Sequence, residues 1–212
     1  MDALETLLFR YPVLAPCRDS LAAAIAALIA CYEADGTVFT CGNGGSAADA
    51  DHIVGELLKG FTHPRPLPPA DKQRLRELDP EDGSLLADRL QCGLRAFSLM
   101  SQIGITTAVG NDLGDALAPA QQLYGLGRPG DVLIALSTSG NARNVALAVQ
   151  IAHLRKMTVI GLTGAGGGRL ARLADIAIRA PAQQTYQIQE LHLPIYHALC
   201  IAVENHFFPP AP

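Results

Sequence analysis

The chain has 212 residues, 49% of them apolar and 17% charged, with a formal net charge of -4. That length fits a single α/β core, and the acidic balance removes the global pull toward nucleic acid or an anionic membrane that a basic chain would exert. Tryptophan is absent and no basic run occurs, so a platform for stacked bases has little to be built from.

Helical patterns cover about 2–9 and 16–34, the second opening on Asp19-Ser20 as a cap. Its apolar stretch, 21–32, is too short to cross a bilayer, and neither a signal peptide nor a lipid anchor is expected. Five cysteines (Cys17, Cys31, Cys41, Cys92, Cys200) are scattered without a CxxC pair, the pattern of reduced, mostly buried thiols in the cytoplasm. The β-branched run 37–41, bounded by Gly36 and Gly42, reads as a strand, and a helix follows near 45–60. Four prolines at 64, 66, 68 and 69 then interrupt the pattern. The segment 62–83 reads either as a lid or subunit contact or as a surface excursion.

From Gly83-Ser84, Leu85, Leu86, Leu90, Leu94 and Phe97 recur at helical spacing and predict a helix to about 101, followed by a strand at 105–109. A helix near 115–125, a strand at 131–136, a helix at 142–155, strands at 158–162 and 176–178, and a helix over 187–206 complete the pattern. Such alternation, with short strands apolar on both faces, predicts one domain. Its architecture is a three-layer αβα sandwich around a parallel, Rossmann-like sheet with an N-terminal helical extension.

Two strands lead into turns rich in glycine and hydroxyls: Cys41-Gly42-Asn43-Gly44-Gly45-Ser46, and Ser137-Thr138-Ser139-Gly140-Asn141. In a parallel sheet both turns emerge at the carboxyl edge, where such sheets bind ligands, and the helix start behind each offers unpaired N–H groups to an anion. Either turn alone also fits a plain strand-to-helix connection. Neither is GxxxxGK[ST] or GxGxxG, so a monophosphate is a simpler ligand than a nucleotide. On the helix after the first turn, His52 and Glu56 are four residues apart and share a face, as a surface pair or as a buried polar pair. On the last helix Gln189, Glu190, His192 and His197 punctuate an apolar sequence. The eight-residue step from Gln189 to His197 returns to within about 80° of its starting direction, so both could reach one pocket. His197 equally fits a satisfied core histidine, and Pro194 between them is expected to kink or loosen the helix.

The segments CGNGGSAADADHIVGEL, ALSTSGNARNV, VIGLTG and IQELHLPIYHAL resemble, in that order, the motifs of sugar isomerase (SIS) domain proteins, and most closely the sedoheptulose-7-phosphate isomerases. The likeness covers the chain apart from 62–83. It implies a cytoplasmic, homotetrameric aldose-ketose isomerase with active sites near subunit boundaries. It implies Glu56 and His197 as the acid/base pair, and His52, Glu56, Gln189 and His197 as a zinc set. It further implies Ser137, Thr138 and Ser139 as the phosphate loop, with Asn43, Gly44, Ser46, Asp112 and Gln189 contacting the sugar. Neither nucleic acid nor membrane is an implied partner. The chain departs from the family at Ala142, where relatives carry a further serine that Arg143 could replace, and at Tyr186, where they carry a sugar-binding aspartate. A non-catalytic SIS protein that binds a phosphosugar or a replication initiator, or an isomerase of another ketose phosphate, is the alternative.

Overall fold

The computed structural model describes residues 2–209. Five strands, β1 (Val38–Cys41), β2 (Ala96–Ser98), β3 (Val132–Leu136), β4 (Thr158–Gly164) and β5 (Ile176–Ala180), form one sheet in the order β2-β1-β3-β4-β5. Every pairing is parallel. All residues of β1 and β3 are buried, and successive side chains serve opposite faces. Val38, Ile134, Leu136, Ile160 and Leu162 belong to one apolar cluster, and Phe39, Leu133, Ala135 and Val159 to the other.

The first cluster is roofed by α1 (Ala3–Arg10), α2 (Arg18–Glu33), α3 (Gly45–Leu58) and α10 (Thr185–Phe207). The second is roofed mainly by α7 (Ala118–Leu126), α8 (Arg143–Leu154) and α9 (Gly168–Leu173). This is the expected three-layer sandwich, with α1 and α2 as the N-terminal helical part. A 3₁₀ turn, Pro12–Cys17, joins them. With that turn, residues 12–33 are long and apolar enough to cross a membrane by length and composition. Here Leu14, Leu21, Ala24 and Leu28 pack into the core instead.

Two expectations are corrected, and the segment 62–83 gains a described helix. The helix from Gly83 stops at Arg89 (α5, Gly83–Arg89), and residues 96–98 form the edge strand β2 beside β1. The leucine spacing had continued the helical pattern into residues that Val38, Phe39 and Thr40 recruit for the sheet. The β-branched run 105–109 is no strand but lies in α6 (Ile103–Asp112), where the Thr107 hydroxyl bonds back to the Ile103 carbonyl at 2.9 Å. Tertiary packing on α7 outweighs β-propensities of about 1 kcal/mol. The segment 62–83 contains a helix, α4 (Pro69–Leu78), with Pro69 at its first position, where a missing N–H costs nothing. Helix α10 continues through Pro194 as one element.

Between α3 and α4 the chain is pinned by a buried ion pair. Glu204 of α10 has no exposed surface and accepts from the Phe61 and Thr62 amides, each at 2.7 Å, from the Thr62 hydroxyl, and from Arg65 Nε at 2.9 Å. Burial alone would raise the Glu204 carboxyl, but the hydrogen bonds from Thr62, Phe61 and Arg65 outweigh it and hold the group below the usual range. The other end of the Arg65 guanidinium donates to the Leu57 carbonyl at 2.8 Å and the Glu56 carbonyl at 3.1 Å. These belong to the last turn of α3, whose carbonyls have no partner within the helix. Glu204→Ala is expected to cost about 3–5 kcal/mol in urea unfolding, because it leaves a guanidinium buried without its counter-charge. The double change Arg65→Met/Glu204→Leu should cost less than that single change, and a larger loss would contradict the account.

Candidate functional site

The sheet order places β1 next to β3, with the chain leaving these two strands toward opposite halves of the sheet. That switch point is where open α/β sheets bind ligands, and both glycine turns emerge there. Gly44 has φ +57°, a conformation open to glycine, and leads into α3, which starts without a side-chain cap. In the second turn Gly140 has φ +69°, and a Cβ there would lie 2.0 Å from the Gly167 carbonyl oxygen. The turn is braced from outside by Arg169 N donating to Asn141 Oδ1 at 3.0 Å. Ser137 is buried, Thr138 half-buried and Ser139 exposed, and α8 behind them also lacks a side-chain cap. Asn43 and Asn144 exchange two amide hydrogen bonds of 2.8 Å, clasping one turn to the helix behind the other. Ser46 is buried beneath the first turn.

Further along α3, His52, Glu56 and His197 come together. His52 Nε2 lies 3.0 Å from Glu56 Oε1, and the His52 and His197 rings meet edge to face with centroids 5.1 Å apart. Phe61 closes the other side of His197 at 5.2 Å. Glu56 Oε2 and His197 Nε2 are buried without a hydrogen-bond partner among the described residues, although the Lys59 ammonium stands 3.6 Å from Glu56 Oε2 as an ion-pair partner. Desolvation lowers the His197 pKa, repulsion from His52 adds to that, and the Glu56 carboxylate opposes both. The imidazole is therefore neutral near pH 7.

Gln189 is not in this cluster. Its amide packs on Gly45, where a Cβ would stand 2.5 Å from Nε2, and it precedes His197 by two turns, about 12 Å along the axis. The single pocket expected for Gln189 and His197 is thus drawn out along α10. Asn43 and Asn144 line a cavity of about 470 Å³ with Thr106, Asp115 and Arg143, whereas His197 lines a cleft of about 390 Å³ with Arg10, Tyr11 and Phe61. Asp112 sits exposed at the end of α6 and accepts from the Asn111 amide at 2.7 Å.

The donors suit zinc in kind: two imidazoles and a carboxylate, with two lone-pair atoms left unpartnered. Among the described residues, however, no three His, Cys, Asp or Glu side chains are gathered as a finished metal site, and His52 Nε2 is engaged with Glu56.

Sequence reasoning missed several participants. The Tyr196 hydroxyl lies 2.9 Å from His52 Nδ1 and donates to Asp49 Oδ1 at 3.2 Å. Burial raises the Asp49 carboxyl, while Tyr196 and His52 pull the other way. Asp49 lies one turn before His52 and Tyr196 directly precedes His197, so shared faces could have marked the first and adjacency the second. Arg65 and Asn144 gave no such sign, since their partners are far away in sequence.

Two family profiles described as SIS domain match residues 12–72 and 106–202. The phosphoheptose isomerase of Rhodospirillum rubrum is 41% identical over 192 residues, covering 91% of this chain and 88% of that one. That of Methylibium petroleiphilum is 42% identical over 187 residues, covering 87% and 80%. Among solved structures, phosphoheptose isomerase GmhA from Neisseria gonorrhoeae superposes with a TM-score of 0.71 at 34% identity, covering 88% of this chain and 86% of that one. The phosphoheptose isomerase from Francisella tularensis gives 0.73 at 30% identity, covering 97% and 100%.

His192 has a structural part. It is fully buried and donates from Nε2 to the Thr163 carbonyl at 3.2 Å, and desolvation lowers its pKa to about 4. The unfolded chain takes up a proton at this residue below about pH 6.5, whereas the folded chain holds it neutral down to about 4. Stability is therefore complete above pH 6.5 and falls toward pH 4, by about 2 kcal/mol at pH 5 from this residue. Urea unfolding at pH 7.5 and 5 should show that loss, and His192→Gln should flatten it.

Proposed function

The chain belongs to the phosphoheptose isomerase family of SIS-domain proteins, and from that membership we propose that it converts sedoheptulose 7-phosphate to D-glycero-D-manno-heptose 7-phosphate through a cis-enediol. The observation that carries this reading is the meeting of a carboxylate from α3 with an imidazole from α10 around His52. Moving a carbonyl between C2 and C1 requires a base for a carbon-bound proton and a group that moves protons between the two oxygens. Glu56 takes the carbon proton. His197, neutral and with Nε2 free, serves the oxygens.

The phosphate is assigned to the hydroxyls of Ser137, Thr138 and Ser139 and the uncapped start of α8. Asn43, Gly44, Ser46 and Gln189 line the sugar's path from the first turn, and Asp112 is kept as a sugar contact. Zinc, held by His52, Glu56 and His197, would polarise the carbonyl oxygen. A lone pair committed to a metal cannot take a proton at the same instant, so Glu56 and His197 act as base and shuttle only when not ligating. Gln189, two turns back along α10, is proposed both as a sugar contact and as the fourth member of this donor set.

The assembly proposed is a homotetramer with each site near a subunit boundary, in the cytoplasm. Supporting it, Leu193 in the His197 cleft is 40% exposed, and Phe9 and Val13 elsewhere on the N-terminal part are 76% and 50% exposed, a cost that a second copy would relieve. All five cysteines are free, as a reducing compartment requires.

In D2O the enzyme should incorporate deuterium at the carbon next to the carbonyl during turnover. Glu56→Gln should bind the sugar phosphate with near-native affinity while kcat falls by about 10²-fold or more. Equal turnover by that variant would remove Glu56 as the base. Dialysis against a chelator should release about one zinc per chain if the metal assignment holds, with the metal counted directly.

A further inference from the structure

Behind the reacting pair runs a hydrogen-bonded row, Asp49, Tyr196 and His52, that ends on Glu56, and the reaction as described uses neither Asp49 nor Tyr196. Asp49, His52 and Glu56 stand at i, i+3 and i+7 on α3 and so share a face, and Tyr196 enters between the first two from α10. The contacts are 3.2 Å from the Tyr196 hydroxyl to Asp49 Oδ1, 2.9 Å from the same hydroxyl to His52 Nδ1, and 3.0 Å from His52 Nε2 to Glu56 Oε1. Tyr196 is 1% exposed, and its ring packs edge to face on His52 with centroids 5.4 Å apart.

We propose that Tyr196, oriented by Asp49, is a positioning residue that fixes His52 with its ring proton on Nδ1 and turns the Nε2 lone pair toward Glu56. The phenol has one proton and two neighbours that could accept it. Asp49 Oδ2 has no partner among the described residues, and Tyr196 is the one donor recorded to the carboxylate, so diverting its proton would strand a half-buried charge. The proton therefore goes to Asp49, and the phenol oxygen can meet His52 Nδ1 only by accepting from it. Nε2 is then a bare lone pair 3.0 Å from a carboxylate oxygen. Two acceptors stay that close only with a proton or a cation between them. The row thus prepares His52 to hold one beside the carboxylate that works on the substrate, as partners behind a ligating histidine commonly do. This inference rests on the isomerase reading for its purpose, but not for its test.

The test is ¹⁵N NMR of the imidazole nitrogens, with His52 assigned by the signal lost in His52→Gln. Wild type should show His52 protonated at Nδ1. Asp49→Ala should free the phenol proton for Nδ1 and move the ring proton to Nε2, and Tyr196→Phe should abolish the fixed tautomer. In steady-state assays Tyr196→Phe should lower kcat by about 10–100-fold with KM little changed. A purely packing role would leave kcat and the ¹⁵N shifts unchanged, because phenylalanine keeps the ring. A wild-type His52 protonated at Nε2 alone, with Nδ1 bare, or unchanged shifts in both variants, would overturn the proposal. Should Tyr196→Phe fail to fold, Asp49→Ala alone decides. The NMR result does not require turnover, so a chain without isomerase activity still confirms or refutes the positioning.

Discussion

The buried pair Arg65–Glu204 is the constraint on which the site depends. Three segments meet at its two side chains: the last turn of α3, the proline-bounded stretch 61–66, and the second half of α10. Helix α3 carries Glu56 and α10 carries His197, so one guanidinium fixes the distance between the helices that bring base and shuttle together. Its hold on the Glu56 carbonyl is especially direct, since it grips the backbone of the residue whose carboxylate reacts. A hydrophobic pair of equal volume could match it in stability but not in this geometry. The same network seats Phe61 against the His197 ring.

At the other end of the site the organising element is backbone. A 2-1-3-4-5 parallel sheet has one place where adjacent strands send their chains to opposite sides, and here that place carries two glycine turns and two uncapped helix starts. An anion there meets N–H groups that no side chain has satisfied, each helix start adding about 0.3–2 kcal/mol. The Asn43–Asn144 clasp keeps the turns from separating, and within the second turn Ser139 Oγ accepts from the Asn141 amide at 3.2 Å while its own proton is left to donate. Rigid backbone at the phosphate and a side-chain cluster at the carbonyl divide the work: the first holds the substrate and the second changes it.

Much of this was legible in the sequence. The buried strands β1, β3 and β4, the helices α3, α8 and α10, and both turns follow from apolar runs bounded by glycine, because burial on two faces leaves a continuous signal; the partly buried edge strand β5 showed as a short apolar run. The edge strand β2 was hidden: with one neighbour and three residues it has little pattern of its own. Helix α6 was misread because its β-branched residues are paired locally and by packing that the sequence does not display. The His52–Glu56 contact was visible as an i,i+4 pair, whereas Arg65–Glu204 joins residues 139 positions apart and has no periodic trace. Gln189 and His197 show the limit of angular reasoning. Their directions differ by about 80°, and two turns of rise lie between them along the axis.

Of the seven buried side-chain atoms without a hydrogen-bond partner among the described residues, three, Asp49 Oδ2, Glu56 Oε2 and His197 Nε2, lie in the one cluster where α3 and α10 meet. A buried polar atom without a partner costs about 1–3 kcal/mol, so together they represent a sizeable fraction of a marginal stability of about 5–15 kcal/mol. A core selected for stability alone would have replaced them with leucine, as it has at the neighbouring position Leu57, buried one residue from Glu56. The cost is tolerable because the clamp beside it is fully satisfied: every oxygen of Glu204 has a donor, and Arg65 bonds from all three of its nitrogens. The clamp between these two helices is saturated, and the neighbouring cluster placed to act on a ligand is left open; that contrast sets the reacting cluster apart from the clamp beside it.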